Sequence, residues 1–253
     1  MSSSDIIDQK YIYLGSFDID NNKIVISDPS YEFDEKTYKH DTWKLNALIS
    51  NAKKGKWQAW LYQHNYKKGG KRNAVLYAIH ASIINENDTP DKIKNQKWEK
   101  IMDLGVDTGQ IGIHDINHFR NDLDANNKKL AEYIKPDDMK DPGEKWYAMV
   151  CAVTYNDNPS NAGIIPYGVV SSSGWGDGIY ELYSLTNENN VIGLKIIFIR
   201  DDQCGCYKEE FENGECKKCK IKMGGGSINY FKKYLKYKTK YLNLKLKNKN
   251  KFE

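Results

Sequence analysis

Apolar and polar positions alternate most clearly between residues 164 and 199. The run Val191-Ile192-Gly193-Leu194-Lys195-Ile196-Ile197-Phe198 puts Ile192, Leu194, Ile196 and Phe198 on one face of a strand, the plainest core signal in the chain. The whole stretch reads as three strands and two turns. Between the first two strands lie Gly174, Gly176 and Gly178, flanking Trp175 and Asp177. Glycine at every second position permits a left-handed backbone, so Gly176 or Gly178 is expected at positive φ and Trp175 as a mostly buried core plug.

The same reading extends over the rest of the chain. Residues 1–10 read as a disordered start. Tyr11–Phe17 and Lys23–Ser27 read as two strands of a hairpin, joined by an Asp- and Asn-rich turn and ended by Asp28-Pro29. Trp43–Ala52 fits a short helix, with Trp43, Ala47 and Leu48 on one side. Trp57–Gln63 alternates Trp57, Ala59 and Leu61 with Gln58, Trp60 and Tyr62, a strand covered on both faces. A basic turn at residues 67–71 leads into a strand at Asn73–Ser82, and residues 85–97 read as loop. Val106-Asp107-Thr108-Gly109-Gln110 is a tight turn into a short strand. Residues 117–135 fit a helix through Phe119, Leu123 and Leu130, and Trp146–Tyr155 reads as a buried strand. About nine strands with turns between them predict a mainly β domain, an antiparallel two-layer sandwich or rolled sheet, with α+β as the variant.

Composition supports this and adds a division. The 18 Tyr among 253 residues favour pleated, half-buried surfaces. No apolar run reaches transmembrane length and the start is polar, so the expected location is the cytoplasm. The net charge of +4 hides an asymmetry: residues 217–253 hold 13 Lys and one Glu, leaving 25 basic against 33 acidic residues in 1–216. An acidic body therefore carries a basic tail, which implies a partner for the tail. The expected organisation is a β domain over 11–200, a cysteine-pair knuckle over 201–222, and a glycine linker with a basic helical tail over 223–253.

Two motifs carry a resemblance. Val106-Asp107-Thr108-Gly109-Gln110 and Ser173-Gly174-Trp175-Gly176-Asp177-Gly178-Ile179-Tyr180, with Gly15-Ser16-Phe17 and Ser27-Asp28-Pro29, resemble the domain-of-unknown-function 4241 family and related phage and giant-virus proteins over roughly residues 11–200. His114 departs from that pattern, standing where an aromatic is expected. The family has no established reaction, so the resemblance implies a fold and not a chemistry. Gly224-Gly225-Gly226 followed by Tyr234–Leu242 looks like a C-terminal extension of many mimivirus-like giant-virus proteins, which implies viral origin and a place in host cytoplasm or virion.

Several constellations bear on chemistry. Asp28, Asp107, Asp115 and Asp177 all fall at strand–turn junctions. Gathered on one edge, they would bind a hard cation such as Ca²⁺ or Mg²⁺ and serve a metal-dependent hydrolase; otherwise each carboxylate bonds its own turn. His114-Asp115-Ile116-Asn117-His118 echoes a zinc-protease helix, but Gly112 and the Ile111/Ile113 alternation put His114 at a strand end. Ser171-Ser172-Ser173-Gly174 lacks the strand-to-helix turn of a nucleophile elbow, and Cys151 reads as a small buried hydrophobe.

Cys204, Cys206, Cys216 and Cys219 form two close pairs nine residues apart, the spacing of a closed four-thiolate zinc site, with disulfides as the alternative. Lys232, Lys233, Lys236, Lys238 and Lys240 lie on the predicted tail helix, suited to nucleic acid, an acidic membrane or an acidic protein surface. No paired catalytic set stands out, which favours a non-enzymatic binding or structural accessory protein of a large DNA virus over the hydrolase.

Overall fold

The structure is a computed structural model, and it describes residues 6–39, 43–67, 70–125, 141–155, 159–200, 211–212 and 215–216. The chain divides into two units. The larger, residues 7–200, is mainly β and holds two packed sheets; the described part of the smaller is a short hairpin.

The strands in chain order are β1 (Ile6–Ile19), β2 (Ile24–Ser27), β3 (Trp43–Lys44), β4 (Asn46–Ile49), β5 (Gly55–Tyr66), β6 (Gly70–His80), β7 (Glu99–Val106), β8 (Gln110–Asp115), β9 (Ala162–Ile165), β10 (Gly168–Ser172), β11 (Gly178–Asn187) and β12 (Asn190–Ile197). One sheet has seven strands in the order β1-β5-β6-β12-β11-β7-β3; the other has five, β4-β2-β8-β10-β9. The β5–β6, β6–β12, β12–β11 and β11–β7 pairs and those of the small sheet are antiparallel, and β3–β7 is parallel. Leu61, Leu76, Leu194 and Leu182 of the large sheet and Ile26, Ile113 and Val169 of the small one are fully buried, as a two-layer β architecture requires. Asn73 of β6 ties the layers together by donating to Ser171 Oγ of β10 at 2.9 Å.

Each sheet also has an outer face, and the two are covered differently. On the large sheet, the connection after β6 folds back so that Ile84 and Ile93 bury Trp60, Ile79, Leu185 and Ile192. On the small sheet, helix α1 (Glu144–Tyr155) packs Trp146, Met149 and Val150 against Ile165 and Val170.

Five local expectations are overturned. Trp146–Tyr155 is helix, not strand. Its apolar residues Trp146, Met149, Val150 and Val153 follow the i, i+3, i+4, i+7 helical stripe. Its first turn is fixed from across the fold, since Asp122 accepts from Gly143 N and Trp146 N, both at 2.9 Å. Trp43–Ala52 is not helix but β3, β4 and the residues after them; β4 pairs with β2, Leu48 opposite Val25. The β1 and β2 strands do not pair with each other, because the chain passes from the large sheet to the small one at Asp20–Asn22. β1 begins at Ile6, inside the stretch expected to be disordered. Of the expected 117–135 helix, the described part is a single 3₁₀ turn at Asp122–Ala125.

The stretch after residue 160 contains four strands. β9 and β10 form a hairpin, and the glycine segment Ser173–Asp177 then carries the chain from the small sheet to the large one. A register shift at Leu185/Thr186 makes Ile192 a bulge residue. Ile192 therefore joins the Trp60 cluster on the outer face, while Leu194 pairs with Ala78 and Ile196 with Leu76 on the inner side.

Candidate functional site

Two of the four singled-out aspartates are structural anchors. Asp28 is fully buried and its carboxylate accepts five hydrogen bonds: Ser30 N at 2.9 Å, Ser30 Oγ at 2.8 Å, Asp107 N at 2.9 Å, Thr108 N at 2.8 Å and Thr108 Oγ1 at 2.8 Å. It thus locks its own turn and the Val106–Gln110 turn together. Asp115, also fully buried, accepts Asp20 N at 2.8 Å, Asn21 N at 3.0 Å and Asn117 N at 2.8 Å, and so holds the link between the sheets. The β2–β8 register sets Ile24 opposite Asp115 and Ser27 opposite Gly112, so Asp28 and Asp115 stand at opposite ends of that pair. Asp107 is half-buried and Asp177 is exposed in the glycine segment. Among the described residues, no group of three or more His, Cys, Asp or Glu is placed to hold a metal ion.

His114 and His118 also part company. The His114 ring is buried between α1 and β8, where Trp146 lies 5.1 Å and Phe119 5.3 Å away, centroid to centroid. Neither ring nitrogen has a hydrogen-bond partner among the described residues, and burial pushes its pKa down to about 3. The ring fits only because of two glycines. A Cβ on Gly112 would lie 2.2 Å from His114 Nε2, and one on Gly168 would lie 2.7 Å from Nδ1. His118 instead stacks on Tyr167 at 3.4 Å, and its Nδ1 meets Asp124 Oδ2 at 2.8 Å. The two histidines share no site.

Ser171 Oγ donates to Ser172 O at 2.8 Å and Ser173 Oγ donates to Gly176 O at 2.7 Å, so both hydroxyls serve the backbone. Cys151 lies on α1, half-buried, with its sulfur receiving Gln110 Nε2 at 3.6 Å. Tyr147 sits beside it, and burial together with Cys151 pushes the phenol pKa up.

The glycine segment departs from expectation at its tryptophan. Gly174 (φ 50°) and Gly176 (φ 95°) take the left-handed backbone; Gly178 begins β11 without it. Trp175 is 38 % exposed rather than a core plug. Tyr180 Oη donates to Ser173 O at 2.9 Å and to Gly176 O at 2.5 Å, so the loop that presents the ring is braced from below. The ring leans on Tyr66 at 5.6 Å, and the Arg72 guanidinium lies 5.2 Å from its centroid.

That contact is one end of a surface no sequence motif marks. Across five strands of the large sheet, Trp60, Tyr77, Lys195, Tyr183 and Lys100 stand directly opposite one another in register. Cross-strand partners share a face. Trp60 is covered, but Tyr77, Lys195 and Tyr183 are only half-buried. Lys195 Nζ lies 4.7 Å from the Trp98 ring centroid and 5.1 Å from that of Tyr183. Burial pushes its pKa down, and no carboxylate among the described residues pairs with it.

Ring contacts continue from there along the face. Trp98 meets Tyr77 at 6.3 Å, Tyr77 meets Tyr11 at 6.1 Å, and Tyr11 meets Tyr62 at 4.8 Å. Tyr62 meets His64 at 5.1 Å, His64 meets Tyr66 at 5.9 Å, and Tyr66 meets Trp175; His64 and Tyr66 are themselves buried, so they join the two exposed ends from beneath. A chain of aromatic rings thus runs from Lys195 to Arg72. Two acids border it. Glu181 is held by Lys100 Nζ at 2.7 Å and by Arg200 Nε at 3.0 Å, and Asp91 accepts Tyr11 Oη at 3.4 Å.

In the smaller unit, β13 (Phe211–Glu212) and β14 (Glu215–Cys216) form a hairpin with Phe211 opposite Cys216 and Asn213-Gly214 between the strands. The hairpin reverses the chain between the two cysteine pairs. Cys204, Cys206 and Cys219, and Lys232, Lys233, Lys236, Lys238 and Lys240, lie outside the described residues. No protein-family model, curated protein or solved structure matches the chain.

Proposed function

We propose that this chain is a non-enzymatic binding protein whose β domain presents the aromatic face of its large sheet, and that it serves as an accessory protein of a large DNA virus. The observation that carries the binding reading is Lys195, a half-buried cation set between Trp98 and Tyr183 with no acidic partner among the described residues. Leaving a charge partly desolvated and unpaired costs stability, and a ligand that completes the site offsets that cost. The viral assignment rests on the resemblance of the Ser173–Tyr180 motif and the Gly224–Leu242 stretch, and with it goes a place in host cytoplasm or virion.

The hydrolase alternative needs carboxylates with open lone pairs. Asp28 and Asp115 have theirs engaged by backbone and hydroxyl donors at separate ends of β2–β8, which leaves Asp107 and Asp177 alone to recruit Ca²⁺ or Mg²⁺. Zinc, if held at Cys204, Cys206, Cys216 and Cys219, is structural, since four protein ligands close the shell. The tail lysines add an electrostatic tether for nucleic acid or another acidic surface.

The test is a hydrolysis panel on the full chain with Mg²⁺, Mn²⁺ or Ca²⁺, covering phosphoesters, carboxylic esters, glycosides and peptides. No metal-dependent turnover is expected. Turnover abolished by Asp107→Ala or Asp177→Ala would overturn the binding reading.

A further inference from the structure

Resting on the binding reading above, we infer that the ligand of the aromatic face is single-stranded nucleic acid, its bases stacking on Tyr77, Trp98 and Trp175 and its phosphates meeting Lys195 and Arg72. Three features of the surface select this class.

The first is the combination of rings and cations. Unpaired bases offer flat π-faces that stack on aromatic side chains without regard to sequence, and the strand between them carries one phosphate per base. Here the rings form one chain of contacts between two cations, Lys195 at one end and Arg72 at the other. Among the described residues neither cation pairs with a carboxylate and the buried Arg72 Nε finds no acceptor. A neutral sugar would stack on the rings and leave both charges unanswered.

The second is contrast with the rest of the body. Residues 1–216 carry 33 acidic against 25 basic residues, so cations free of acidic partners on a half-buried aromatic face run against the local average. Lys67, exposed in the β5–β6 turn, adds positive charge near this end of the sheet.

The third is rigidity. Tyr77 stands on a paired strand, Trp98 directly precedes β7 and is pinned by its Nε1 donating to Ile93 O at 3.3 Å, and Trp175 stands on a loop whose carbonyls are tied by Ser173 Oγ and Tyr180 Oη. A platform set in advance of binding loses little entropy when a flexible strand settles on it.

The test uses the full chain, because any binding by the tail lysines is common to every variant and drops out of the comparison. The probe is an oligothymidylate of about 12 nucleotides, within the roughly 4–16 nucleotides such platforms occupy. Binding is read by fluorescence anisotropy and by tryptophan quenching over a salt series, with thermal melting to establish that each variant folds. Trp98→Leu should weaken binding roughly tenfold with an unchanged salt slope, as loss of one stacked base predicts. Lys195→Gln combined with Arg72→Gln should flatten the slope of log K against log salt by about 1.4, the value for two phosphates on a single strand.

Unchanged affinity and slope in both folded variants would overturn the inference and assign all binding to the tail. If, in addition, cross-linking places a protein at Trp98 and Tyr77, the nucleic-acid inference falls while the binding reading stands. Metal-dependent hydrolysis, by contrast, would remove the binding reading itself.

Discussion

The two sheets share an architecture but treat their outer faces in opposite ways. The small sheet's face is closed by α1, and its strands are pared down to Gly112 and Gly168 so that one imidazole fits beneath the helix. The large sheet's face is closed over Trp60, Ile79, Leu185 and Ile192 and over His64 and Tyr66; beside them Tyr77, Trp98, Tyr183, Trp175, Lys195 and Arg72 stay within reach of solvent. In the first case a polar group is buried at the expense of its hydrogen bonds. In the second, large aromatic side chains and charges stay half-exposed. The difference separates a closed face from a half-open one, and substitutions should respond accordingly.

The largest effect is expected on the closed face. Trp146→Ala removes the fully buried ring that α1 sets against Ile165 and Val170, and should cost about 3–5 kcal/mol in chemical denaturation. A cost under about 1 kcal/mol would mean that α1 is not part of the core.

Next comes the anchor that holds the small sheet's turn. Asp28→Ala orphans three backbone amides and two hydroxyls in a buried site. Loss of roughly 3 kcal/mol is expected, since a buried donor left without its charged partner keeps its desolvation penalty. Addition of Ca²⁺ or Mg²⁺ should leave the melting temperature of the parent protein unchanged, and a metal-induced rise lost in Asp28→Asn would restore the cation site.

His114 gives the closed face a pH dependence. Its folded pKa is depressed to about 3, below the value of about 6.5 for a free imidazole. The unfolded chain therefore takes up a proton that the folded chain refuses. This contribution is fully present above pH 6.5 and is lost as pH falls towards 3. By pH 5 the loss is about 2 kcal/mol. His114→Phe should flatten the stability profile between pH 7 and 5, and an unchanged acid limb in that variant would place the titrating group elsewhere.

The smallest effect on stability is expected on the open face. Lys195→Gln should shift it by no more than about 1 kcal/mol, because the cation–π contacts with Trp98 and Tyr183 are offset by relief of the desolvated charge. A loss comparable to Trp146→Ala would make Lys195 a structural residue and erase the contrast between the faces.

Much of this fold is legible in the sequence, and the exceptions have physical causes. Strand β5 announces its two-sided burial through Trp57, Ala59 and Leu61 on one face and Trp60 and Tyr62 on the other, and β8 and β10 show theirs through Ile111, Ile113 and Val169. Helix α1 is hidden because Trp-Tyr-Ala-Met-Val-Cys-Ala-Val is apolar all round, which a buried strand imitates. Its cue was Asp141-Pro142-Gly143-Glu144, a start signal in which Glu144 Oε2 accepts Asp141 N at 3.2 Å. The β3–β4 region shows the converse, where Trp43, Ala47 and Leu48 match helical spacing by coincidence. The aspartates are visible as turn formers, but only register shows that Asp28 and Asp115 stand apart. The aromatic face could not be read at all, because Tyr77, Trp98, Tyr183 and Lys195 meet through strand register and a folded-back connection, at separations no motif spans.

Photo-cross-linking the full chain to a thiothymidine-substituted single strand, with peptide mapping of the products, tests most directly whether the open face is the one made for contact. Cross-links are expected in the peptides containing Trp98 and Tyr77, surviving at a salt concentration that removes those in the lysine-rich 217–253 segment. Cross-links confined to 217–253, or falling on the α1 face, would contradict it.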